Sequence, residues 1–437
     1  MHPFATVHGG KSGHTQLFSA SAMLYDSMTH PTPTDGTRVV VSPGRTVLGV
    51  GAADEVGTYA SRHGTRALVV ASEQIYDIHG ERIETALTEA GVEVSTFTNV
   101  RPDPTVENVE AAHEVWDAEG CDVIVTLGGG SSIDVGKSVG ILATNEGSIR
   151  SFGVDKAGYE GVPNPAPPII VVNTTAGTGS ETTRTAVLSD ESTSTKFIIV
   201  SENIVPDVAI EDPELTTSLP KSHTAFTGID AFTHAIEAFT SVKSFSVTDD
   251  YARDAMERIV DALAPAWSNG DNIEARTAMM IAQFKAGKAF GNSSVALVHG
   301  MARPLGAQLH IPHGLANGLI LPYVVEFNSM AAPEKYAEVA RLLGAADEFD
   351  GTRQAAAMAG DAVERLCADI SLVEYLDDFG EVPSREEYLD VVPDMTQDAF
   401  DSGSPDNNPR KPTRDELEEL FVTVYDDALA PDSRRRS

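Results

Sequence analysis

Two stretches of this chain carry residues with the types and spacing for chemistry at a metal. "GIDAFTHAIEAF" places Asp230 and His234 four residues apart, and "HGMARPLGAQLHIPHG" brings His299, Arg303, His310 and His313 within sixteen residues. Residues four apart on a helix share a face, so Asp230 and His234 would present a carboxylate and an imidazole in one direction. Adding His299 and His313 gives one carboxylate and three imidazoles. Such a set can close around divalent iron or zinc and leave a position open for substrate. An Asp–His pair at this spacing is also an ordinary helix-surface contact, and spacing does not establish that the four meet. His310 is left as a candidate proton carrier, because imidazole titrates near neutral pH, or as a packing or surface histidine. Arg303 cannot act as a base, since guanidinium stays charged. One helical turn after His299, it is a candidate either to grip an anionic group on a substrate or to form a structural ion pair. The glycines and prolines around it suggest little regular structure.

Two glycine-bearing loops are candidates to hold phosphate. "VTLGGGSSIDVGKSVG" runs from an apolar strand through Gly129, Gly130 and Ser131 into a helix. Glycines allow close backbone approach, and a helix N-terminus offers free N–H groups to a pyrophosphate. The run is not the G-x-G-x-x-G fingerprint, because Ile133 takes the place of its last glycine. It also falls one residue short of a P-loop: Gly136, Lys137 and Ser138 fit, but Ser131 stands where glycine is required. The second loop, "NTTAGTGSETT" (173–183), follows another strand and offers hydroxyls and glycines. Either alone is compatible with a tight turn; two at strand ends of one sheet point to a nucleotide.

The elements that must position these residues alternate in the first half and do not in the second. "RALVVAS", "VEVSTF", "DVIVTLG", "PPIIVVNTT", "TKFIIVS" and "DVAIED" have the composition of strands, and "GERIETALTEAG" and "VENVEAAHEVWDAEG" between them have helical spacing. That order predicts a mostly parallel sheet with helices on both faces, whose ligands bind at the carboxyl ends of the strands. After Pro220, "HTAFTGIDAFTHAIEAFTS", "VTDDYARDAMERIVDALAPAW", "IEARTAMMIAQFKAGKAF" and "RDELEELFVTVYDDALA" all show helical spacing. We therefore expect an α/β domain over 37–219, an all-α domain over 220–437, and a mobile tail over 1–36. "DMTQDAFDSGSPDNNPRKPT" (394–413) is expected as a polar loop.

Composition narrows the function classes. With 31 Lys+Arg against 65 Asp+Glu, the formal net charge is -34. Such a surface repels phosphate backbones and anionic membranes, which argues against nucleic-acid or lipid partners. The acids are spread along the chain, as suits a halophile's cytoplasm where salt screens the repulsion. No apolar run reaches the ~18 residues of a membrane span, and the start has no convincing signal core. Two distant cysteines give no disulfide framework. A cytoplasmic protein is the expectation.

These motifs, in this order, resemble the iron-containing (group III) alcohol dehydrogenases, a haloarchaeal-type member by its charge. The resemblance rests on "GGGSSIDVGK", "TTAGTGSE", "GIDAFTHAIEAF" and "HGMARPLGAQLHIPHGLANGLILP" and spans the chain from about Arg38. It implies a Rossmann-like dinucleotide-binding domain, a helical-bundle domain and a metal in the cleft between them, in a homo-oligomer of two or more chains. It implies Asp230, His234, His299 and His313 as ligands to Fe(II), or Zn(II), and Gly129, Gly130, Ser131 and Asp134 as the pyrophosphate loop. Thr174, Thr175 and Thr178 match the nicotinamide-side loop, Lys196 a cofactor-contacting lysine, and Asp103 a position near the adenosine. The implied reaction passes hydride between a carbinol carbon and the nicotinamide of NAD or NADP. Two positions depart from the family's pattern: Ser72, where many members have aspartate, and Arg303, where many have histidine. Rivals of the same architecture are a dehydroquinate synthase-like lyase, a glycerol-type dehydrogenase and a maleylacetate reductase, the last disfavoured by Asp230. A nucleotide-binding protein without chemistry is the rival from another class.

Overall fold

The computed structural model describes residues 37–192, 195–380 and 382–430; the stretch expected as a tail, 1–36, lies outside them. Among the described residues there are eight strands: β1 Arg45–Leu48, β2 Arg66–Val70, β3 Glu93–Phe97, β4 Val123–Gly128, β5 Ile169–Asn173, β6 Thr185–Asp190, β7 Thr195–Val200 and β8 Val208–Glu211. Helices of ten residues or more are numbered in order: α1 Glu73–Glu89, α2 Val106–Glu119, α3 Gly130–Thr144, α4 Lys221–Thr240, α5 Ser246–Ser268, α6 Ile273–Asn292, α7 Leu297–Leu309, α8 His313–Ser329, α9 Pro333–Leu342, α10 Ala359–Asp369, α11 Arg385–Asp401 and α12 Arg414–Val424.

Six strands form one sheet in the order β1-β8-β5-β4-β2-β3, and every pairing is parallel. Alternate side chains of a strand point to opposite faces, and here both faces are covered. Leu68, Val70, Ile124 and Val171 pack with Val109, Ala112 and Trp116 of α2 and Ile133 and Val139 of α3. Ala67, Val69, Val125 and Val172 pack on the other face with Ile83 and Leu87 of α1. The helix after β2 and the helix after β4 thus lie on opposite faces, although the strands are neighbours. That places the topological switch point, where open sheets of this kind take ligands, between the carboxyl ends of β2 and β4.

Helices α4 to α12 share a third core that includes Phe232, Phe239, Met301, Leu319, Tyr388 and Phe421. Among the described residues no strand follows Glu211, and no helix is long and apolar enough to cross a membrane.

Three local expectations are corrected, and one strand is added. "TKFIIVS" is a strand, but it pairs antiparallel with β6 in a separate hairpin. β1 carries too short an apolar pattern to be read, and β8 holds it at the sheet edge. The 299–314 stretch is helical on both sides of a short break, despite Pro304 inside α7. Buried Leu297, Val298, Met301, Ala302 and Leu305 give α7 an apolar stripe whose packing overrides local propensity. Residues 394–401 belong to α11, where Tyr388, Val392, Met395 and Ala399 recur at helical spacing on the buried side. Pro393 within the helix and the acids around it hide that pattern.

Candidate active site

The two glycine loops meet. β4 ends at Gly128, whose φ of 145° suits only glycine. The chain then enters α3 at once, with Gly129 as its N-cap and no side chain capping the helix. A Cβ on Gly129 would lie 2.7 Å from Thr175 Oγ1, and one on Gly130 3.1 Å from Thr178 Cγ2. The α3 N-terminus and the 174–178 loop therefore touch backbone to side chain at the strand ends. Ser131, Thr175 and Thr178 are half-buried here. Thr174 is fully buried, and its hydroxyl has no partner among the described residues.

Lys137 explains why a P-loop reading fails. Its ammonium is buried and bonded to the carbonyls of Ser180, Thr183 and Thr185 at 2.7, 2.9 and 2.8 Å, so it fastens α3 to the second loop and reaches no phosphate. Asp134 is turned the same way: it accepts from Ser180 Oγ at 2.7 Å and from the Val187 N–H at 3.0 Å. Its position in the glycine motif is thus a brace for the 178–187 segment.

Ser72 closes β2 and caps α1, accepting from the Ile75 N–H at 3.4 Å, and it bridges to Asn99 beyond β3. Lys196 and Asp103, matched separately to cofactor positions, pair with each other at 2.6 Å. Asp103 sits at φ 53° on an exposed loop.

The carboxylate and the imidazoles converge in the helical half. Asp230 Oδ1 stands 3.8 Å from His234 Nε2, 3.7 Å from His299 Nε2 and 3.8 Å from His313 Nε2. These distances are too long for hydrogen bonds. They are close to the ~3.4 Å between tetrahedral ligands on a metal with bonds of about 2.1 Å. Asp230, His299 and His313 supply donor atoms within 4.8 Å of one another; His234 lies to one side and shares the same oxygen. The Asn317 amide nitrogen donates to Asp230 Oδ1 at 2.7 Å and stands 3.4 and 3.2 Å from the Nε2 atoms of His299 and His313. A positively polarised group is thus drawn to the place a cation would take, so the residues present fit a divalent metal.

Charge states agree with that fit. Burial alone would raise the Asp230 carboxyl, but the imidazoles of His234, His313 and His299 hold it well below the usual range. Burial pulls His234 down to about 4, and His313 is lowered as well by its packing against the cluster and by the charges of His299 and Arg303, so both imidazoles are neutral at neutral pH and able to act as ligands. Burial pulls His299 down as well, but Glu237 and Asp230 more than offset it. Glu237 Oε2 lies 2.6 Å from His299 Nδ1 and accepts from the Ala296 N–H at 3.0 Å, while Oε1 accepts from the Val298 N–H at 2.6 Å. A carboxylate only accepts, so Nδ1 carries a proton, and Nε2, which faces Asp230, is the ring atom left for a metal.

The 174–179 loop runs beside this cluster. A Cβ on Gly177 would lie 2.6 Å from Thr227 Cβ on α4, and the Gly177 backbone lies by the His234 ring. Gly179, at φ 61°, lets the loop close on Gly287 of α6. Behind it, Gln283 Nε2 donates to Glu181 and Glu211 at 3.1 Å each, and Asn173 donates to Glu211 at 3.0 Å. Burial raises both carboxyls, and the proximity of Glu181 raises Glu211 further. Glu181, Glu211, Gln283, Glu237 and Asn317 all escaped the sequence reading.

Of the remaining candidates, Arg303 is half-buried, and its charge acts on His313 and feels Glu237. His310 is exposed and takes a left-handed φ of 52° where α7 ends.

Comparison with known proteins agrees with this architecture. A family model for iron-containing alcohol dehydrogenase matches residues 43–213, and one for the C-terminal part of the Fe-containing alcohol dehydrogenase family matches 224–425. A 1,3-propanediol dehydrogenase of Citrobacter freundii is 42% identical over 365 residues, 83% of this chain and 92% of that one. A solved 1,3-propanediol oxidoreductase superposes with a TM-score of 0.84 at 39% identity, covering 89% of this chain and 100% of the other. The sulfoacetaldehyde reductase of Bifidobacterium kashiwanohense, solved in complex with NAD+, does so with a TM-score of 0.76 at 30% identity, covering 89% and 99%.

Proposed function

The chain belongs to the iron-containing alcohol dehydrogenase family and is an alcohol oxidoreductase. From that premise we propose that it exchanges hydride between nicotinamide C4 of NAD(H) or NADP(H) and the CH–OH/C=O carbon of a small alcohol, aldehyde or hydroxy/oxo acid. Asp230, His234, His299 and His313 would hold Fe(II), with Zn(II) the alternative, since this donor set takes either. Bound there, the ion supplies a Lewis acid for the substrate oxygen. The α3 N-terminus with Gly129, Gly130 and Ser131 would receive the pyrophosphate, and Thr174, Thr175 and Thr178 would line the nicotinamide side. Lys196 and Asp103 would border the adenosine half. The observation that carries this reading is the single Asp230 oxygen shared by three imidazoles beside the 174–179 loop. Anaerobic protein loaded with Fe(II) should change the absorbance of the nicotinamide when given short alcohols with the oxidised cofactor or aldehydes with the reduced one. Silence across such a screen would sink the proposal.

The separate cores of the two halves support a dinucleotide-binding domain over 37–219 and a metal- and substrate-binding domain over 220–437. Val39, Val40, Leu48 and Val50 are exposed along the edge strand β1 and its flanks, which supports a homo-oligomer, because apolar edges pair with further chains. Free, buried Cys121 and Cys367 suit a reducing cytoplasm.

Ser72 bears on cofactor choice. An aspartate at the end of β2 would accept from the ribose 2′-OH and repel a 2′-phosphate; Ser72 lacks that repulsion, while the neighbouring Glu73 restores part of it. NADP(H) should therefore be accepted, and Ser72→Asp should shift preference toward NAD(H). Aspartate also caps helices, so α1 should survive the change. Rejection of NADP(H) by the wild type would refute the assignment.

The charge of -34 supports a halophilic, haloarchaeal-type enzyme. Unscreened repulsion should lower stability in dilute buffer. Thermal melting should move upward in molar KCl; an unchanged or lower midpoint would overturn this.

A further inference from the structure

We infer that Arg303 grips a carboxylate on the substrate, so that the preferred substrates are small hydroxy acids and their aldehyde or oxo-acid partners. This rests on the proposed reading of the metal and cofactor sites. Asp230, His234 and His299 have side chains 7%, 8% and 3% exposed, whereas His313 is 44% exposed. The fourth member of the set therefore marks the side from which a substrate reaches the cluster. Arg303 lies one turn beyond His299 on α7 and is half-buried, so it stands on the face of that helix that carries His299.

No carboxylate among the described residues pairs with it. Among the described residues none makes a hydrogen bond or an ion pair with Arg303, in a chain where Arg82, Arg150, Arg184, Arg253 and Arg258 all pair with acids. Glu237 is the acid that acts on it, but its oxygens already accept from His299, Ala296 and Val298. A half-buried guanidinium without a partner has lost part of its hydration. Its planar fork matches a carboxylate with two parallel charge-assisted hydrogen bonds. During oxidation the carbinol C–H bond breaks, its hydride goes to nicotinamide C4 and the hydroxyl proton leaves to solvent. The gripped carboxylate takes no part and fixes which carbon faces the cofactor.

The test compares wild type, Arg303→Met and Arg303→Lys, all loaded with Fe(II). The substrates are ω-hydroxy acids of three to five carbons and the diols of the same lengths. For the wild type the acids should have the higher kcat/KM. In Arg303→Met the loss on the acids should exceed the loss on the diols by about 10- to 150-fold, with Arg303→Lys between. Propanoate, which has no hydroxyl to oxidise, should bind the wild type in calorimetry and not Arg303→Met. Equal losses on acids and diols, or a wild type that oxidises only diols, would overturn the inference and leave the oxidoreductase reading standing. A wild type inert on both sets would bring down that reading and this inference with it. Arg303→Lys carries the comparison if the methionine variant does not fold, since it keeps the charge and loses the fork.

Discussion

Replacing His313 with alanine is expected to lower kcat at least about 10³-fold while leaving the fold and the binding of reduced cofactor intact. The magnitude follows from the several kcal/mol of charge stabilisation that a metal gives a developing alkoxide, at about 1.4 kcal/mol per tenfold in rate. His313 is the informative position because of where it sits. Its side chain is 44% exposed at the first turn of α8, so truncation opens no cavity in the core. His234 would be a poor choice: its ring stacks on Phe290 at 4.2 Å and on His299 at 4.6 Å, and its loss would disturb packing together with metal binding. The measurements are metal content after dialysis, steady-state turnover, melting temperature and titration with NADH. A metal-free His313→Ala protein that keeps wild-type turnover would remove the metal from the mechanism.

The sequence exposed the donors of this site better than what holds them. Strand composition and the glycine loops were legible because a parallel sheet buried on both faces needs near-continuous apolar runs, as in β4 and β5. Asp230 and His234 were legible as a pair because α4 has unbroken helical spacing. Glu237 falls on the same face, seven residues after Asp230, and the signal was present in "HAIEAF". It carried no meaning until α7 was known to place its first N–H groups there. Asn317 repeats the interval, four residues after His313, but the glycines and prolines around His313 conceal the helix that gives the interval its meaning. The Glu181–Glu211–Gln283 cluster joins a loop, a strand end and a helix that are 30 to 102 residues apart in the chain. No local pattern reports such a contact.

Glu237 carries the second large expectation. α7 begins without a side-chain cap from Ala296, and its N–H groups at Ala296 and Val298 are satisfied by Glu237 across from α4. The same carboxylate holds the proton on His299 Nδ1. Glu237→Ala should therefore act twice. Three buried donors lose their acceptor, which should cost about 3–5 kcal/mol, because a buried charged contact is broken from one side. His299 also loses the group that fixes its tautomer and ring orientation, and removing such outer partners typically weakens metal binding about 10- to 100-fold. Glu237→Gln separates the two effects. Its carbonyl can still accept from a backbone N–H, but its amide brings a donor to a place where His299 Nδ1 and the α7 N-terminus already donate. We expect Gln to recover part of the melting temperature and little of the metal affinity, measured by competition with a chelator under anaerobic conditions. If Glu237→Gln binds Fe(II) or Zn(II) as tightly as the wild type, then the carboxylate serves only to cap α7 and the orientation of His299 must come from Asp230 and the stacked His234 ring.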